Sequence, residues 1–290
     1  MKFSIIIPLY NKEKGIIRSI NSIINQSCQD FEIIVVDDGS TDNSVQQINN
    51  VKDKRISIFS QTNSGPSVAR NKGVTLSKGN WVLFLDADDE LLPDALLTFE
   101  ALIVKYPLHS VFCCNHIIES NGVSRIRASY YPDGEVLNNY RSWFFNLLLP
   151  CQGCTLFRRD ILNTYKYPNN IKRWEDAAFM FEIMRKFKIV RSHIPTFVYH
   201  RSMSEGMFPR KNISEDYGAH LDFCNKTFWE KMCLYKLFKE TKFLYPYWKS
   251  DYPICSFVDY MVPIIYNIIT RCFDVLSFMK RIIKIKVNES

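Results

Sequence analysis

The sequence predicts an α/β fold, in which a parallel β-sheet alternates with helices, followed by a helical C-terminal region. Short apolar runs, typical of strands covered on both faces, alternate with segments whose apolar residues recur at helical spacing. Strands and helices that alternate at this interval form βαβ units, and these build a parallel sheet. We place the domain boundaries at residues 1–214 and 215–290, and divide the first part into halves 1–105 and 106–214.

The first hundred residues give the strongest element signals. Ile16, Ile20 and Ile23 share one face of a predicted helix. Thr41 or Asp42 can cap the helix after the second strand. The predicted strands are 3–8, 32–36, 55–59 and 81–85. The predicted helices are 14–26, which carries the apolar face described above, 65–76 and 93–105.

The composition is that of an ordinary folded protein. Hydrophobic residues make up 47% and charged residues 23% of the 290 residues, which excludes a disordered, collagen-like or coiled-coil chain. The net charge of +7 is too small to indicate nucleic acid as a partner, but it suits an anionic ligand or a membrane surface. No G-x-G-x-x-G motif or P-loop motif occurs, so a dinucleotide or P-loop site is not expected.

The nine cysteines do not form the pattern of a disulfide framework, because their number is odd and their spacing irregular. A reducing compartment is the better interpretation. Cys151 and Cys154 form one isolated C-x-x-C pair without histidine at metal-ligand spacing. We therefore expect buried structural thiols there, and not a metal site.

Polar side chains follow three predicted strands, in the segments 8–11, 37–40 and 86–89. The carboxyl ends of parallel strands meet at one edge of a sheet, which is where open α/β sheets bind ligands. Asp86, Asp88 and Asp89 place three carboxylates within four residues, and such a group repels itself unless a cation or hydrogen-bond donors lie among them. Hard oxygen ligands of this kind suit Mg²⁺ or Mn²⁺.

Five motifs in order closely resemble the nucleotide-sugar half of the family 2 inverting glycosyltransferases of bacterial surface-polysaccharide type. They are SIIIPLYN (4–11), SIINQS (22–27), EIIVVDDGST (32–41), GPSVARNKG (65–73) and GNWVLFLDADD (79–89). The resemblance covers residues 3–105 strongly and weakens beyond. It implies the GT-A fold, a UDP-sugar donor, a glycan or lipid-linked acceptor hydroxyl, and Mn²⁺ or Mg²⁺.

The resemblance also implies roles for individual residues. Pro8 and Tyr10 would border the nucleobase, and Asp38 would accept the N–H of the uracil ring. Arg70 would lie near the base and the diphosphate, although a surface charge on a helix is the simpler alternative. In the D-x-D motif, Asp86 would meet the ribose or a metal-bound water. The metal would be held by Asp88, with the extra acid Asp89 as the other candidate ligand.

A separate acid pair, Glu175 and Asp176, looks like the family's E-D motif at the start of a helix predicted over 175–187. An inverting transfer needs a base on the attacking side of the sugar and charge stabilisation on the opposite side, so one acid cluster cannot do both. Asp176 is the predicted base. Glu175 is the second candidate, or it binds hydroxyl groups; both acids would also suit a helix N-terminus without any catalytic role.

The segment that begins at Tyr199 resembles the family region that closes over the diphosphate. Arg201 could pair with phosphate, and His200 could ligate the metal, bind phosphate or be structural. A strand over 196–199 precedes these residues, and a mobile loop over 204–213 follows them.

The C-terminal region, 215–290, is aromatic and ends in alternating basic and apolar residues. A helical tail packed on the catalytic domain or on a partner chain, including a second copy, and a membrane-surface helix both fit this pattern. No signal peptide or spanning helix is expected, so the predicted location is cytoplasmic, either free or peripheral on the inner face of the membrane. A nucleotidyltransferase and a non-catalytic nucleotide-binding scaffold are the rival functions.

Overall fold

The computed structural model describes residues 2–127, 133–201, 213–244 and 261–270. The chain divides into two compact units, Met1–Tyr217 and Gly218–Ser290, so the division falls three residues later than the sequence predicts. Most of the predicted loop over 204–213 and the basic C-terminal end lie outside the described residues.

The first four strands form a parallel sheet, as the sequence predicts, in the order β3-β2-β1-β4. The central strands are almost fully buried because helices cover both faces of the sheet. The strands are β1 Phe3–Leu9, β2 Phe31–Asp37, β3 Ile56–Ser60 and β4 Trp81–Phe84. The helices are α1 Ile16–Ile24, α2 Ser44–Asn49, α3 Pro66–Leu76 and α4 Ala95–Lys105.

The sheet beyond β4, outside the range of the parallel prediction, is mixed. The added strands are β5 Glu90–Leu91, β6 Val111–Ser120, β7 Val123–Ile126, β8 Gly134–Glu135, β9 Thr155–Arg158 and β10 Val190–His200. The path continues β4-β9-β6-β10-β5, with β9 antiparallel to β4 and β6. Only a short turn separates β4 from β5. This is too little chain for a crossover connection, so β5 cannot pair in parallel with β4. β5 pairs antiparallel with β10 instead.

Close packing of α3 on β1 depends on Gly73. A Cβ atom at this position would lie 2.3 Å from Ile6 Cγ2, so a larger residue would push the helix off the sheet. On the other side of the sheet, Ile16, Ile20 and Ile23 of α1 are fully buried, as their helical spacing predicts. These contacts fix the carboxyl ends of the strands relative to both layers.

The remaining helices described in the first unit are α5 Asn139–Phe144, α6 Ile161–Thr164 and α7 Glu175–Lys186, with a 3₁₀ turn at Ile213–Glu215. A second 3₁₀ turn, Tyr217–Ala219, begins at the last residue of this unit. Phe179 and Ile183 lie on the buried face of α7. In the second unit, α8 spans Phe228–Leu244 and residues 261–270 are helical. Within the described ranges, no helix combines the length and the apolarity needed to cross a membrane.

Candidate functional site

The three polar strand ends meet at one edge of the sheet, which confirms the prediction. Asp38 N–H donates to Leu9 O at 2.8 Å, which joins the end of β2 to the end of β1. The side chain of Asn11 accepts from Thr41 N–H at 2.8 Å. Lys12, which follows β1, forms an ion pair with Asp88, which follows β4. The edge therefore carries both a predicted nucleotide site and an acid cluster.

Asp38 is a buried carboxylate that organises the loop before α3. It accepts hydrogen bonds from Gln61 Nε2 at 2.8 Å, Ser64 N at 2.8 Å and Gly65 N at 2.7 Å. Tyr10 lies at the end of neighbouring β1 with 47% of its surface exposed, and Pro8 precedes it on the same strand. An exposed ring beside a fixed carboxylate has the features of a nucleobase site, although most acceptor directions of Asp38 are already used by the loop.

The acids of the cluster 86–89 have different partners. Asp86 accepts from Arg70 Nη2 at 2.9 Å through Oδ1, and Asp88 pairs with Lys12 through Oδ2. Asp89 is 2% exposed, and its Oδ1 accepts from the backbone N–H of His200 at 3.0 Å. Among the described residues, the hydrogen bonds of Asp86 and Asp88 use one oxygen each.

This donor set fits a hard divalent cation. Two neighbouring carboxylates each retain an oxygen that could become a ligand, and both are partly exposed. Asp89 fits less well, because its buried carboxylate ties the β4–β5 connection to β10.

Arg70 lies behind the acids and does not have the exposure of a surface charge. Its side chain is 5% exposed and bridges Asp86 and Glu175, with Nη1 at 3.3 Å from Glu175 Oε1. Its guanidinium also lies 5.0 Å from the centre of the Tyr167 ring. Arg70 does not line either of the cavities described below, so the contact with the base and diphosphate that the sequence predicts stays a prediction. In the structure, Arg70 contacts Asp86, Glu175 and the ring of Tyr167.

The acid pair begins α7, and its two members have different environments. Asp176 faces a cavity of about 420 Å³, whereas Glu175 turns to Arg70. Burial raises the pKa of Asp176 above its ordinary range and outweighs the amide of Ala177 and the charge of Arg70, which lower it; Asp86 adds to the rise. Burial and the charge of Asp176 raise the pKa of Glu175 as well. A carboxylate with a raised pKa in a cavity is a better proton acceptor than an ordinary aspartate.

Two cavities lie at this edge among the described residues. The cavity of about 420 Å³ contains both Asp86 and Asp176, and so joins the acid cluster to the acid pair. The second, of about 670 Å³, is lined by Lys12, Arg18, Asp88 and other residues from the ends of β1, β4, β6 and β10. Arg201 lines both cavities, which suits its predicted contact with an anionic group between them.

His200 is held by two carboxylates. Its Nε2 lies 2.9 Å from Glu90 Oε1, and its Nδ1 lies 3.5 Å from Glu119 Oε2. Both ring nitrogens therefore have acidic neighbours. This arrangement argues against the predicted role as a metal ligand, because ligation would break one of the contacts.

Several residues that line the smaller cavity were not predicted from the sequence, among them Arg125, Arg127 and His116. His116 lies on β6, and its ring approaches the C-x-x-C pair, with Nδ1 3.9 Å from Cys151 Sγ. The expectation that no histidine accompanies this pair is wrong, because 35 residues of chain separate His116 from Cys151 and only the pairing of β6 with β9 brings them together.

Comparisons with known proteins bear on the family and the fold of this chain. A family model described as glycosyl transferase family 2 matches residues 4–166. An uncharacterized glycosyltransferase of Haemophilus influenzae is 36% identical over 200 residues, which are 66% of this chain and 75% of that protein. The minor teichoic acid biosynthesis protein GgaA of Bacillus subtilis is 32% identical, over 64% of this chain but only 44% of the relative. The crystal structure of S. aureus TarS 1-349 in complex with UDP superposes with a TM-score of 0.66 and 25% identity, over 83% of this chain and 72% of that one.

Proposed function

Because this chain belongs to glycosyl transferase family 2, we propose that it transfers a sugar, with inversion, from a UDP-sugar to a hydroxyl of a glycan or lipid-linked oligosaccharide. Two relatives support the donor and the pathway. TarS, which shares this fold, was crystallised with UDP. GgaA is named as a protein of teichoic acid biosynthesis, which supports a role in surface-polysaccharide synthesis.

One observation carries the proposal: Asp86 of the acid cluster and Asp176 of the acid pair line the same cavity. An in-line displacement at the anomeric carbon needs a proton acceptor beside the attacking hydroxyl and charge stabilisation beside the departing phosphate. The cavity joins the predicted base, Asp176, to Asp86 of the acid cluster, and a divalent ion held by that cluster would supply the charge stabilisation. A sugar held between them would be open to attack from the side of Asp176.

Asp88 is the proposed ligand for Mn²⁺ or Mg²⁺, with Asp89 as the less favoured candidate and Asp86 directed to the ribose or to a metal-bound water. A bound divalent ion supplies charge stabilisation at the leaving diphosphate. Lys12 forms its ion pair with the carboxylate proposed as the ligand, so it would have to release Asp88 or move with it. Arg201 is the proposed phosphate contact from the opposite wall.

Asp176 is the proposed base. Its carboxylate is held by the amide of Ala177, at 2.7 Å from Oδ1, which leaves Oδ2 to accept the proton of the acceptor hydroxyl. Glu175 is tied to Arg70 and does not line the cavity, so we assign it to positioning. The ion pairs of Arg70 with Asp86 and Glu175 then fix the distance between the acid cluster and the acid pair.

The acceptor is proposed to carry negative charge. Arg125 of β7 and Arg127, which follows that strand, line the cavity of Asp176 together with Arg201, and Trp143 adds an aromatic surface. Guanidinium groups pair well with phosphate oxygens. A phosphate-bearing glycan or a lipid-linked diphosphate has this chemistry, and the second of these would bring the protein to a membrane surface.

The test is incubation with a panel of UDP-sugars and Mn²⁺, with and without phosphate-bearing glycan acceptors. We expect slow hydrolysis of one donor, faster consumption with an acceptor, and a β-linkage in the product when the donor is α-linked, which NMR spectroscopy of the anomeric proton reports. Retention of configuration would contradict the single-displacement mechanism. Failure of every UDP-sugar would contradict the donor class.

A further inference from the structure

We propose that His116, Cys151 and Cys154 form a binding site for Zn²⁺ or a similarly soft divalent ion, separate from the acid cluster. One ligand atom from each residue lies within 4.8 Å of the other two. Cys151 Sγ lies 3.3 Å from Cys154 Sγ and 3.9 Å from His116 Nδ1. All three atoms come from neighbouring segments, the strand β6 and the turn before β9.

The two separations that involve Cys151 match a tetrahedral ion closely. With zinc–sulfur bonds of about 2.3 Å and zinc–nitrogen bonds of about 2.0 Å, tetrahedral geometry separates two sulfurs by about 3.8 Å and a sulfur from a nitrogen by about 3.5 Å. The observed separations of 3.3 Å and 3.9 Å differ from these by about half an ångström or less. Small side-chain rotations would therefore complete the geometry.

The backbone holds the two cysteines in place. Gly153, between them, has φ +81°, and a Cβ atom there would lie 2.5 Å from the ring of Phe197. Its N–H donates to Phe84 O at 2.6 Å, and the N–H of Cys114 donates to Cys154 O at 2.8 Å. The turn is thus fixed to both neighbouring strands, so little conformational freedom would be lost on binding an ion.

The residue types also suit a metal. Zinc binds cysteine as the thiolate, so Cys151 and Cys154 would release their protons when the ion binds.

An ion could reach the site from the smaller cavity, which His116 and Cys151 both line. Three protein ligands leave the fourth position for a water molecule from that cavity. Cys113 Sγ is not part of the compact group and donates to Cys114 O at 3.5 Å, so it is not needed as a ligand. Thiolate and imidazole select soft ions, whereas the carboxylates of Asp86 and Asp88 select hard ones. The inference therefore does not depend on the proposed sugar transfer.

The test uses the intact chain, reduced and freed of metal, titrated with Co²⁺ as a spectroscopic substitute for Zn²⁺. We expect a thiolate-to-cobalt charge-transfer band that saturates at one ion per chain and disappears when Zn²⁺ is added. Cys151→Ser and His116→Gln should each weaken Zn²⁺ binding more than about a hundredfold, because even residues that only support a ligand contribute 10- to 100-fold. Cys28→Ser, at a free cysteine outside the group, should leave binding unchanged.

Two results would overturn the proposal. One is the absence of a charge-transfer band in the wild-type protein. This outcome includes the case in which Cys151 and Cys154 form a disulfide on mild oxidation and bind no ion. The other is a Zn²⁺ affinity in Cys151→Ser that stays within tenfold of the wild type. Circular dichroism spectra should match that of the wild type, and a second variant, Cys154→Ala, repeats the test if one substitution disturbs folding. The charge-transfer band requires a thiolate ligand, and the acid cluster offers only carboxylates. The metal test and the test of sugar transfer can therefore fail separately.

Discussion

Replacement of Asp176 by Asn tests the assignment of the base most sharply. Asparagine has nearly the same shape, and its Oδ1 can keep the hydrogen bond from the Ala177 amide, which is 2.7 Å long. It cannot accept the proton of the acceptor hydroxyl. Glu175 cannot take over without releasing Arg70, which lies 3.3 Å away. We therefore expect the full loss of a general base, about 10²- to 10⁴-fold in turnover, or about 2.7–5.4 kcal/mol in the barrier.

The same variant should gain stability at neutral pH. Burial raises the pKa of Asp176 in the folded protein, so the folded state binds this proton more tightly than the unfolded chain does. The stability gained from protonated Asp176 is complete below its unfolded pKa and is lost as the pH rises through the folded pKa. Ionised Asp176 is thus unfavourable at neutral pH, and Asn removes that cost. A purely structural acid would instead lose stability when replaced.

The assay is donor turnover over a pH series, combined with urea unfolding and UDP binding. Wild-type activity should rise with pH through an acidic limb above the ordinary aspartate pKa, because only the carboxylate accepts a proton. Asp176→Asn should lack that limb and bind UDP normally. Glu182→Gln, on the exposed side of the same helix, is the matched control and should retain both activity and the limb. Turnover within tenfold of wild type in Asp176→Asn would refute the assignment.

Three other substitutions test the supporting structure. Arg70→Met should lower the free energy of unfolding by about 3 kcal/mol, which urea titration measures. This value is near the lower limit for a broken buried ion pair, because the partner carboxylate of Asp86 is partly exposed. Gly73→Ala should cost about 1–3 kcal/mol, since the new Cβ would overlap Ile6; a loss below 0.5 kcal/mol would contradict that close packing. Asp89→Ala should lower the melting temperature because the N–H of His200 loses its acceptor, whereas unchanged stability together with lost Mn²⁺ dependence would make Asp89 the metal ligand.

The first half of the fold could be predicted from sequence because its elements carry strong local signals. The Ile-rich β1 is buried on both faces, and the spacing of Ile16, Ile20 and Ile23 gives α1 its apolar face. The second half could not be predicted in the same way. β5 and β8 are two residues long and show no periodicity, and their pairing with β10 depends on distant chain.

The site was predictable only as far as its motifs reach. The strand ends placed Asp38 and Asp86 at one edge, and the family resemblance singled out Asp176. The role of Arg70 could not be read from sequence, because its partner Glu175 lies 105 residues away and the ion pair exists only after folding. The contact of His116 with the C-x-x-C pair could not be predicted for the same reason, since no local spacing relates a residue of β6 to a turn that precedes β9.

The most direct test of the central claim is calorimetric titration of UDP into the wild-type protein and Asp88→Ala, each with and without Mn²⁺. Mn²⁺ should strengthen UDP binding to the wild type. Asp88→Ala should remove this enhancement and retain weak metal-independent binding. Unchanged metal dependence in Asp88→Ala would contradict the metal assignment. Absence of UDP binding to the wild type under both conditions would contradict the proposed donor and the site built around it.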